Sequence, residues 1–162
     1  MRLRMKFLNQ IVGLFVLVGL LGLGVAIVLI GANQRWLQKR YGFHTMVRSG
    51  AGVQAGMPIT LKGFEIGKVQ RVTFVAETRE VRVDFDIFED YYGSVVLENS
   101  VIEHATSPIG LGAGLFFHPG KPQEPPKPPL PEGSLIVSMD SREGRDLVRK
   151  GLVDREGGDD SI

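Results

Sequence analysis

The N-terminal part of the chain is apolar in a way that the rest is not. Residues 11–30 read IVGLFVLVGLLGLGVAIVLI, a run without a charged or strongly polar side chain. A helix of about 20 apolar residues spans the roughly 30 Å hydrocarbon layer of a membrane. The pattern therefore predicts a membrane-spanning helix over residues 11–31, preceded by a short N-terminus at residues 1–10.

A cleaved signal peptide is the alternative interpretation of this segment. Signal peptides have a shorter apolar core of about 7–15 residues and a small-residue cleavage site, and the sequence shows neither. Basic residues flank the span on both sides: Arg2, Arg4, Lys6, Arg35, Lys39 and Arg40. The positive-inside rule gives a slight preference for a cytoplasmic N-terminus.

Gly22 and Ala26 form a small-xxx-small pair, at which another transmembrane helix can approach closely.

Beyond a linker at residues 32–42, short β-rich runs bounded by turn residues replace the helical pattern. The runs begin at Phe43, Pro58, Lys68, Glu80, Ser100, Ala113 and Ser134. The fourth run is the clearest, because apolar and charged residues alternate from Val81 to Ile87, which is typical of a half-buried strand. Such a series of short strands predicts an all-β sandwich or barrel over residues 43–139. The residues from Glu89 to Tyr92 are predicted to form a charged turn.

The most patterned segment is GVQAGMPITLKGFEIGKVQRV, which begins at Gly52. Its recurring positions are Gly52, Gly56, Pro58, Gly63, Gly67 and Val69. The apolar alternation slips phase within the segment, as it does at β-bulges. Glycine permits positive-φ turns, kinks and close backbone approach. We therefore expect a small, tightly curved sheet here.

The C-terminal part of the chain contains two further segments. Residues 119–133, PGKPQEPPKPPLPEG, predict a stiff extended surface loop that cannot join a β-ladder. Its PxxP-like spacing leaves open docking onto an aromatic groove. Residues 140–162 predict a short helix, with Asp140 or Ser141 as the N-cap, and a disordered tail. Leu147, Val148 and Leu152 lie on one face of that helix.

Composition excludes several classes of function. The formal net charge is +1, with 19 basic and 18 acidic residues, so the chain has no overall field that attracts nucleic acid. The absence of cysteine excludes disulfides, thiolate metal sites and cysteine nucleophiles.

Candidate catalytic or metal-binding groups are few. His44, His104 and His118 fall in separate runs without metal-ligand spacing, so neither a metal site nor a cofactor is predicted. Asp84 and Asp86 share one face of the fourth run, and we interpret them as part of a solvated outer face. An acid/base or cation site is the alternative. The chain is predicted not to be an enzyme.

The segment SPIGLG, which begins at Ser107, is unusual. It holds the bulky residues Ile109 and Leu111 between Pro108, Gly110 and Gly112. One interpretation is a glycine bulge whose apolar side chains lie in the core. The other is an exposed apolar loop tip, which usually indicates a partner, a lipid or an oligomer interface.

The pattern G-V-x-x-G-x-P-I-x-x-x-G-x-x-I-G-x-V-x-x-V resembles the MCE (mammalian cell entry) domain family, most closely its short MlaD-like members. The fourth-run alternation, the SPIGLG segment and the ending LPEGSLI extend this resemblance from about Phe43 to Met139. It implies a single seven-stranded β-barrel MCE domain that assembles into a homo-hexameric ring in the bacterial periplasm, anchored by a single-pass helix in the inner membrane.

The resemblance also implies a function. Loops equivalent to Ser107–Gly112 would line a hydrophobic central pore that conducts phospholipid, with Ile109 and Leu111 as its apolar side chains. The family often has two adjacent large apolar residues where this chain has Ile-Gly-Leu. An inner-membrane permease and a cytoplasmic ATPase of an ABC transporter would be the partners. Two alternatives are an anchored periplasmic adaptor that binds proteins without conducting lipid, and a membrane-tethered enzyme that uses Asp84 and Asp86.

Overall fold

The computed structural model describes residues 3–33, 38–106 and 112–155. The chain forms two compact units, Met1–Gln38 and Lys39–Ile162. The first contains helix α1, Leu3–Asn33. Within α1, Asn9–Ala32 is long and apolar enough, by length and composition, to cross a membrane. The large apolar side chains that the structure describes on this helix are more than half exposed. Gly22 and Ala26 lie on this exposed helix.

The described residues of the second unit form seven strands and two short helices. In chain order they are β1 Arg40–Val47, β2 Pro58–Leu61, β3 Phe64–Val75, β4 Glu80–Phe88, α2 Glu89–Val95, β5 Val101–Thr106, β6 Ala113–His118, β7 Val137–Ser138 and α3 Arg142–Arg149. Each predicted β-rich run overlaps one of these strands, and β3 begins at Phe64, four residues before the predicted run. β1 begins at Arg40, within the segment that was expected to be a linker.

The strands form one seven-stranded sheet in the order β1-β4-β3-β2-β6-β5-β7. The sheet curls so that residues just before β7 reach β1. The Ile136 amide donates to the His44 carbonyl at 2.8 Å, and the His44 amide donates to the Ser134 carbonyl at 3.3 Å. The result is a nearly closed barrel, which confirms the seven-stranded β-barrel that the resemblance implied.

Side-chain alternation explains how the barrel fills its interior. Val83, Phe85 and Ile87 of β4 are buried, as the period-two pattern predicted. They pack with apolar residues from other strands and from the position before β7: Phe43, Val47, Ile59, Ile66, Val69, Ile102, Leu115, Phe117 and Ile136. The register of β3 against β4 shifts between Val69 and Arg71. A β-bulge at Gln70 is therefore the physical cause of the phase slip in the sequence.

The segment after β4 is a helix, so the predicted charged turn is wrong. Glu89 and Asp90 occupy the first turn of α2, where the helix dipole favours negative charge. Tyr92 fixes the helix to the barrel: its ring stacks on that of Tyr41 at 3.9 Å, and its hydroxyl donates to the Leu130 carbonyl at 2.9 Å. The helix is too short for a period of 3.6 to show in the sequence.

The proline-rich segment 119–133 lies against the barrel. The Leu130 amide donates to the Val96 carbonyl at 2.9 Å, and the Gly133 amide donates to the Gly42 carbonyl at 2.7 Å. Its first residues also pair with the C-terminal residues, because Gly120 forms a β-bridge with Val153. The expectation that the segment joins no ladder is therefore wrong at Gly120.

Helix α3 begins as the sequence predicted. The Ser141 hydroxyl accepts a hydrogen bond from the Gly144 amide at 2.9 Å, so Ser141 is the N-cap. The chain then turns back, and Val153 is buried and forms a β-bridge with Gly120, just after β6. The expected disordered tail falls partly at residues 156–162, which lie outside the described residues.

Candidate functional site

The strand directions sort the loops into two groups, one at each end of the barrel. β5 ends at Thr106 and β6 begins at Ala113, and these two residues pair. β1 ends and β2 begins at the same end of the barrel, so the connection 48–57 lies there too. We call the end that carries residues 48–57 and 76–79 and the paired strand ends Thr106 and Ala113 the loop end. The segment that was predicted to line a pore connects these two strand ends in the sequence.

Most of the predicted pore-lining residues lie outside the described residues: Pro108, Ile109, Gly110 and Leu111. Gly112 is the described part of this loop. It is exposed and has a φ of 118°, a conformation that glycine adopts readily and other residues rarely do. The loop therefore returns to β6 through a position that favours glycine.

The glycine-rich connection 48–57 closes the loop end and supports the base of the predicted pore loop. Val53 is buried in the barrel core. Gly52 has a φ of 76°, and a Cβ added there would lie 2.7 Å from the Cβ of Ala113. The His104 Nε2 atom lies 3.0 Å from the Ala51 carbonyl oxygen. The connection therefore passes close to Ala113 of β6 and contacts His104 of β5. Sequence reasoning missed this proximity because the partners are far apart in the chain.

The other motif residues shape β2 and β3. Gly56 and Gly63 have φ values of 85° and 82°, and Gly63 lies in the turn between β2 and β3. Pro58 begins β2, and Val69 is buried in β3. Gly67 packs directly on the β4 backbone, and a Cβ there would overlap the Asp86 carbonyl oxygen. The motif therefore builds turns and one close strand contact.

Asp86 is not part of a solvated face, so that interpretation is wrong for this residue. Its relative exposure is 7%. One carboxylate oxygen accepts from the Lys68 amide at 3.1 Å and the other from Gln70 Nε2 at 2.6 Å. Arg40 Nη1 lies 3.4 Å from the second oxygen. The carboxylate is therefore engaged in fixing β1 and the β3 bulge to β4.

Replacing Asp86 with alanine is expected to lower the free energy of unfolding by about 2–3 kcal/mol, because charge-assisted hydrogen bonds are lost inside the barrel wall. Asp84 is the matched control. It is partly exposed and bonds to Arg82 at 2.8 Å, so its replacement with alanine is expected to cost about 1 kcal/mol or less. Urea unfolding of the detergent-solubilised chain measures both. Equal losses of unfolding free energy in the two variants would show that the buried hydrogen bonds of Asp86 stabilise the barrel no more than the exposed contact of Asp84.

The three histidines do not meet. His118 Nε2 lies 2.9 Å from the Glu103 carboxylate on the neighbouring strand, while His104 contacts the connection 48–57 and His44 lies in β1. Within residues 3–33, 38–106 and 112–155, no group of three or more His, Asp or Glu side chains is placed to hold a metal ion.

Two cations lie beside aromatic rings at the start of β1, at the end of the barrel opposite the loop end. Lys39 Nζ is 5.0 Å from the centre of the Tyr41 ring, and the Arg40 guanidinium is 5.5 Å from that of Phe88. A hydrogen bond to the Tyr41 side chain raises the pKa of Lys39 above its ordinary value. Because a raised pKa favours the protonated form, Lys39 stays positively charged at neutral pH.

A cleft of about 360 Å³ separates α2 from the proline-rich segment. Its walls are formed by residues from both elements: Gly93, Leu97, Glu98, Lys121, Pro122, Gln123, Glu124, Pro126 and Lys127. A salt bridge between Lys127 and Glu98, with a distance of 2.7 Å, crosses between its two sides. The cleft lies away from the loop end.

The chain thus combines an apolar helix with a small β-barrel that displays loops at one end. Residues 39–113 match the family model described as MlaD protein. A chain of the Acinetobacter MlaFEDB complex, in the ATP-bound Vtrans1 conformation, has a similar fold. The TM-score is 0.50 and the identity 17%, over 83% of this chain and 98% of that chain. No curated protein matches the sequence.

The region from Lys39 to the start of β6 is therefore similar to MCE domains of the MlaD type. The family resemblance that the glycine-rich pattern indicated is confirmed.

Proposed function

We propose that this chain is the membrane-anchored MCE subunit of an ABC-type phospholipid transport system. The match of residues 39–113 to the MlaD family carries the proposal. Helix α1 anchors the subunit in the bacterial inner membrane, with the N-terminus in the cytoplasm and the barrel in the periplasm. The chain is not an enzyme. An inner-membrane permease and a cytoplasmic ATPase supply the energy, in keeping with a similar fold in an ATP-bound MlaFEDB complex.

In this proposal, copies of the barrel form a hexameric ring with the loops Ser107–Gly112 at its centre. Ile109 and Leu111 line a hydrophobic pore, and Pro108, Gly110 and Gly112 shape the loop that presents them. The close approach of Gly52 to Ala113 and the contact of His104 with Ala51 support a pore-lining role for the loop. A pore constriction requires that its side chains are held at a defined radius. An apolar path is effective because each acyl methylene gains about 0.8 kcal/mol by leaving water.

The anchor has a proposed contact of its own. Gly22 and Ala26 place two small residues one turn apart on a helix whose apolar surface is exposed. A helix of the permease can approach closely at such a position. The small pair would then fix the anchor's rotation beside the permease.

Purification of the full-length chain in mild detergent tests the proposal. Native mass spectrometry is expected to show a particle of six copies, and lipid extraction is expected to release phospholipid from it. A particle that contains a single subunit would contradict the ring. A ring without phospholipid would contradict lipid conduction.

An anchored periplasmic adaptor that binds proteins is the second candidate, and the cleft beside the proline-rich segment favours it. This function requires no lipid in the pore. The adaptor hypothesis therefore predicts that the purified protein contains no lipid. It also predicts that protein binding depends on cleft residues such as Leu97 and Pro126. Loss of transport in Leu111→Asp, with normal transport in Leu97→Ala, would exclude it.

A further inference from the structure

The part of β3 nearest the loop end has a strand partner on one side only, among the described residues. β2 pairs with β3 only from Leu61↔Phe64 to Pro58↔Lys68, and the Val69 amide then donates to the Met57 carbonyl at 2.8 Å. Residues 71–75 pair with β4 on one side. No strand within the described residues pairs with their other side. We call residues 71–75 the β3 edge.

The part of β5 nearest the loop end also has a strand partner on one side only, among the described residues. All of β5 pairs with β6, but β7 reaches only Val101 and Ile102. The last backbone bond on that side joins the Met139 amide to the Ile102 carbonyl at 2.8 Å. Residues 103–106 have no strand partner there among the described residues. We call them the β5 edge.

The two edges lie at the loop end, on opposite sides of the hairpin that β5 and β6 form. In the sheet order, β2 and β6 separate β3 from β5. β2 begins only at Pro58, so the β3 edge projects beyond it on one side of the hairpin. The β5 edge lies on the hairpin's other side. A subunit that points this hairpin at a ring axis therefore turns the two edges toward its two neighbours.

We propose that the β3 edge of one copy pairs with the β5 edge of the next copy around the ring. The proposal rests on the ring of the proposed function and names the surfaces through which it closes. A cyclic assembly needs two unlike complementary surfaces on each subunit. Strands with unpaired backbone groups are templates for pairing with another chain.

Side chains on the two edges favour this partner. Arg71 on the β3 edge is exposed and forms no ion pair with any residue that the structure describes. Glu103 on the β5 edge carries the opposite charge, and one of its carboxylate oxygens lies 2.9 Å from His118 Nε2 of the same subunit. Pairing of two β3 edges would instead bring like charges together, which is unfavourable. Phe74, with a relative exposure of 65%, adds apolar area to the β3 edge.

Neither edge contains a proline, and His104 of the β5 edge contacts the connection 48–57. Native edge strands are commonly blocked by proline, by inward-pointing charges or by a covering element. Residues 71–75 and 103–106 contain no proline. The β3 bulge lies just below the edge, at Gln70, and leaves residues 71–75 in regular pairing with β4. Both edges can therefore accept a strand.

Cysteine cross-linking of the full-length chain in mild detergent tests the proposal, because the native sequence contains no cysteine. The variant Thr73→Cys/Ala105→Cys is expected to form a covalent ladder that ends at the ring size under oxidation. Each single variant is expected to form none. The control pair Thr73→Cys/Ser94→Cys places its second cysteine on α2, at the opposite end of the barrel, and is expected to give no ladder.

The possible outcomes distinguish the proposed pairing of the β3 and β5 edges from the proposed ring assembly. An assembled ring without the Thr73–Ala105 ladder would overturn the edge assignment and leave the proposed function intact. Dimers from Thr73→Cys alone would show that two β3 edges meet, and would overturn head-to-tail pairing. A particle that stays a single subunit would overturn the ring and this proposal together.

Charge reversal provides a second measurement. Arg71→Glu is expected to reduce the oligomeric fraction by about tenfold at fixed protein concentration, because it opposes Glu103 across the contact. The double variant Arg71→Glu/Glu103→Arg is expected to restore assembly. Failure of the double variant to restore assembly, with the barrel still folded, would contradict the pairing of these two residues.

Discussion

Replacing Leu111 with aspartate is expected to reduce phospholipid transfer by roughly 100-fold while leaving ring assembly unchanged. A charge at the centre of an apolar path costs about 2.5–3.5 kcal/mol, and each 1.4 kcal/mol corresponds to a factor of ten. The loop lies between two paired strand ends, Thr106 and Ala113, so its side chain can change without altering the barrel wall. Transfer of labelled phospholipid between vesicles in the reconstituted transporter measures the effect, and native mass spectrometry verifies the ring.

Leu111→Met is the matched control, because it keeps the apolar volume, and it is expected to transfer lipid at nearly the native rate. Ile109→Asp, measured in parallel, decides which of the two residues forms the narrowest point. If transfer by Leu111→Asp is unchanged in an intact ring, the pore assignment is wrong.

Replacing Gly67 with alanine is expected to cost about 3 kcal/mol of folding free energy and to lower Tm by roughly 10 °C. The added Cβ would overlap the Asp86 carbonyl oxygen, which belongs to the backbone of β4 and cannot rotate away. Two adjacent strands must then separate, and the bonds that Lys68 and Gln70 make to Asp86 weaken with them. Thermal unfolding in detergent, followed by circular dichroism, measures the shift.

Gly93→Ala is the control for this prediction. Gly93 lies in α2 with no atom within 4 Å of an added Cβ, and alanine favours a helix over glycine by about 1 kcal/mol. This variant is expected to be unchanged or slightly more stable. A Gly67→Ala protein as stable as the native chain would show that the strand contact is looser than the structure indicates.

The strands were predictable because their signal is local. Alternation from Val81 to Ile87 in β4 has the period of a half-buried strand, and turn residues bound the runs on both sides. The phase slip at Gln70 also appears in the sequence, because a bulge displaces the alternation by one residue. The apolar span of α1 needs only a residue count.

Other features were not predictable, because they depend on partners that are distant in the chain. Nothing local to Asp86 distinguishes it from Asp84, yet only Asp86 meets the bulge of β3 and is buried. Helix α2 was missed because it is too short to show periodicity. Its stability comes from packing of Tyr92 on Tyr41, which the sequence does not bring together.

The sequence by itself determined the long apolar helix, the places of the β-rich runs along the chain and the apolar character of the segment that begins at Ser107. Each of these follows from the identities of neighbouring residues. Only the tertiary structure decided that the connection 48–57 lies against Ala113 and His104, and that within the described residues the ends of β3 and β5 lack a strand partner on one side. Which strand ends meet, and where pairing stops, depends on how the sheet closes, and closure is a property of the whole barrel.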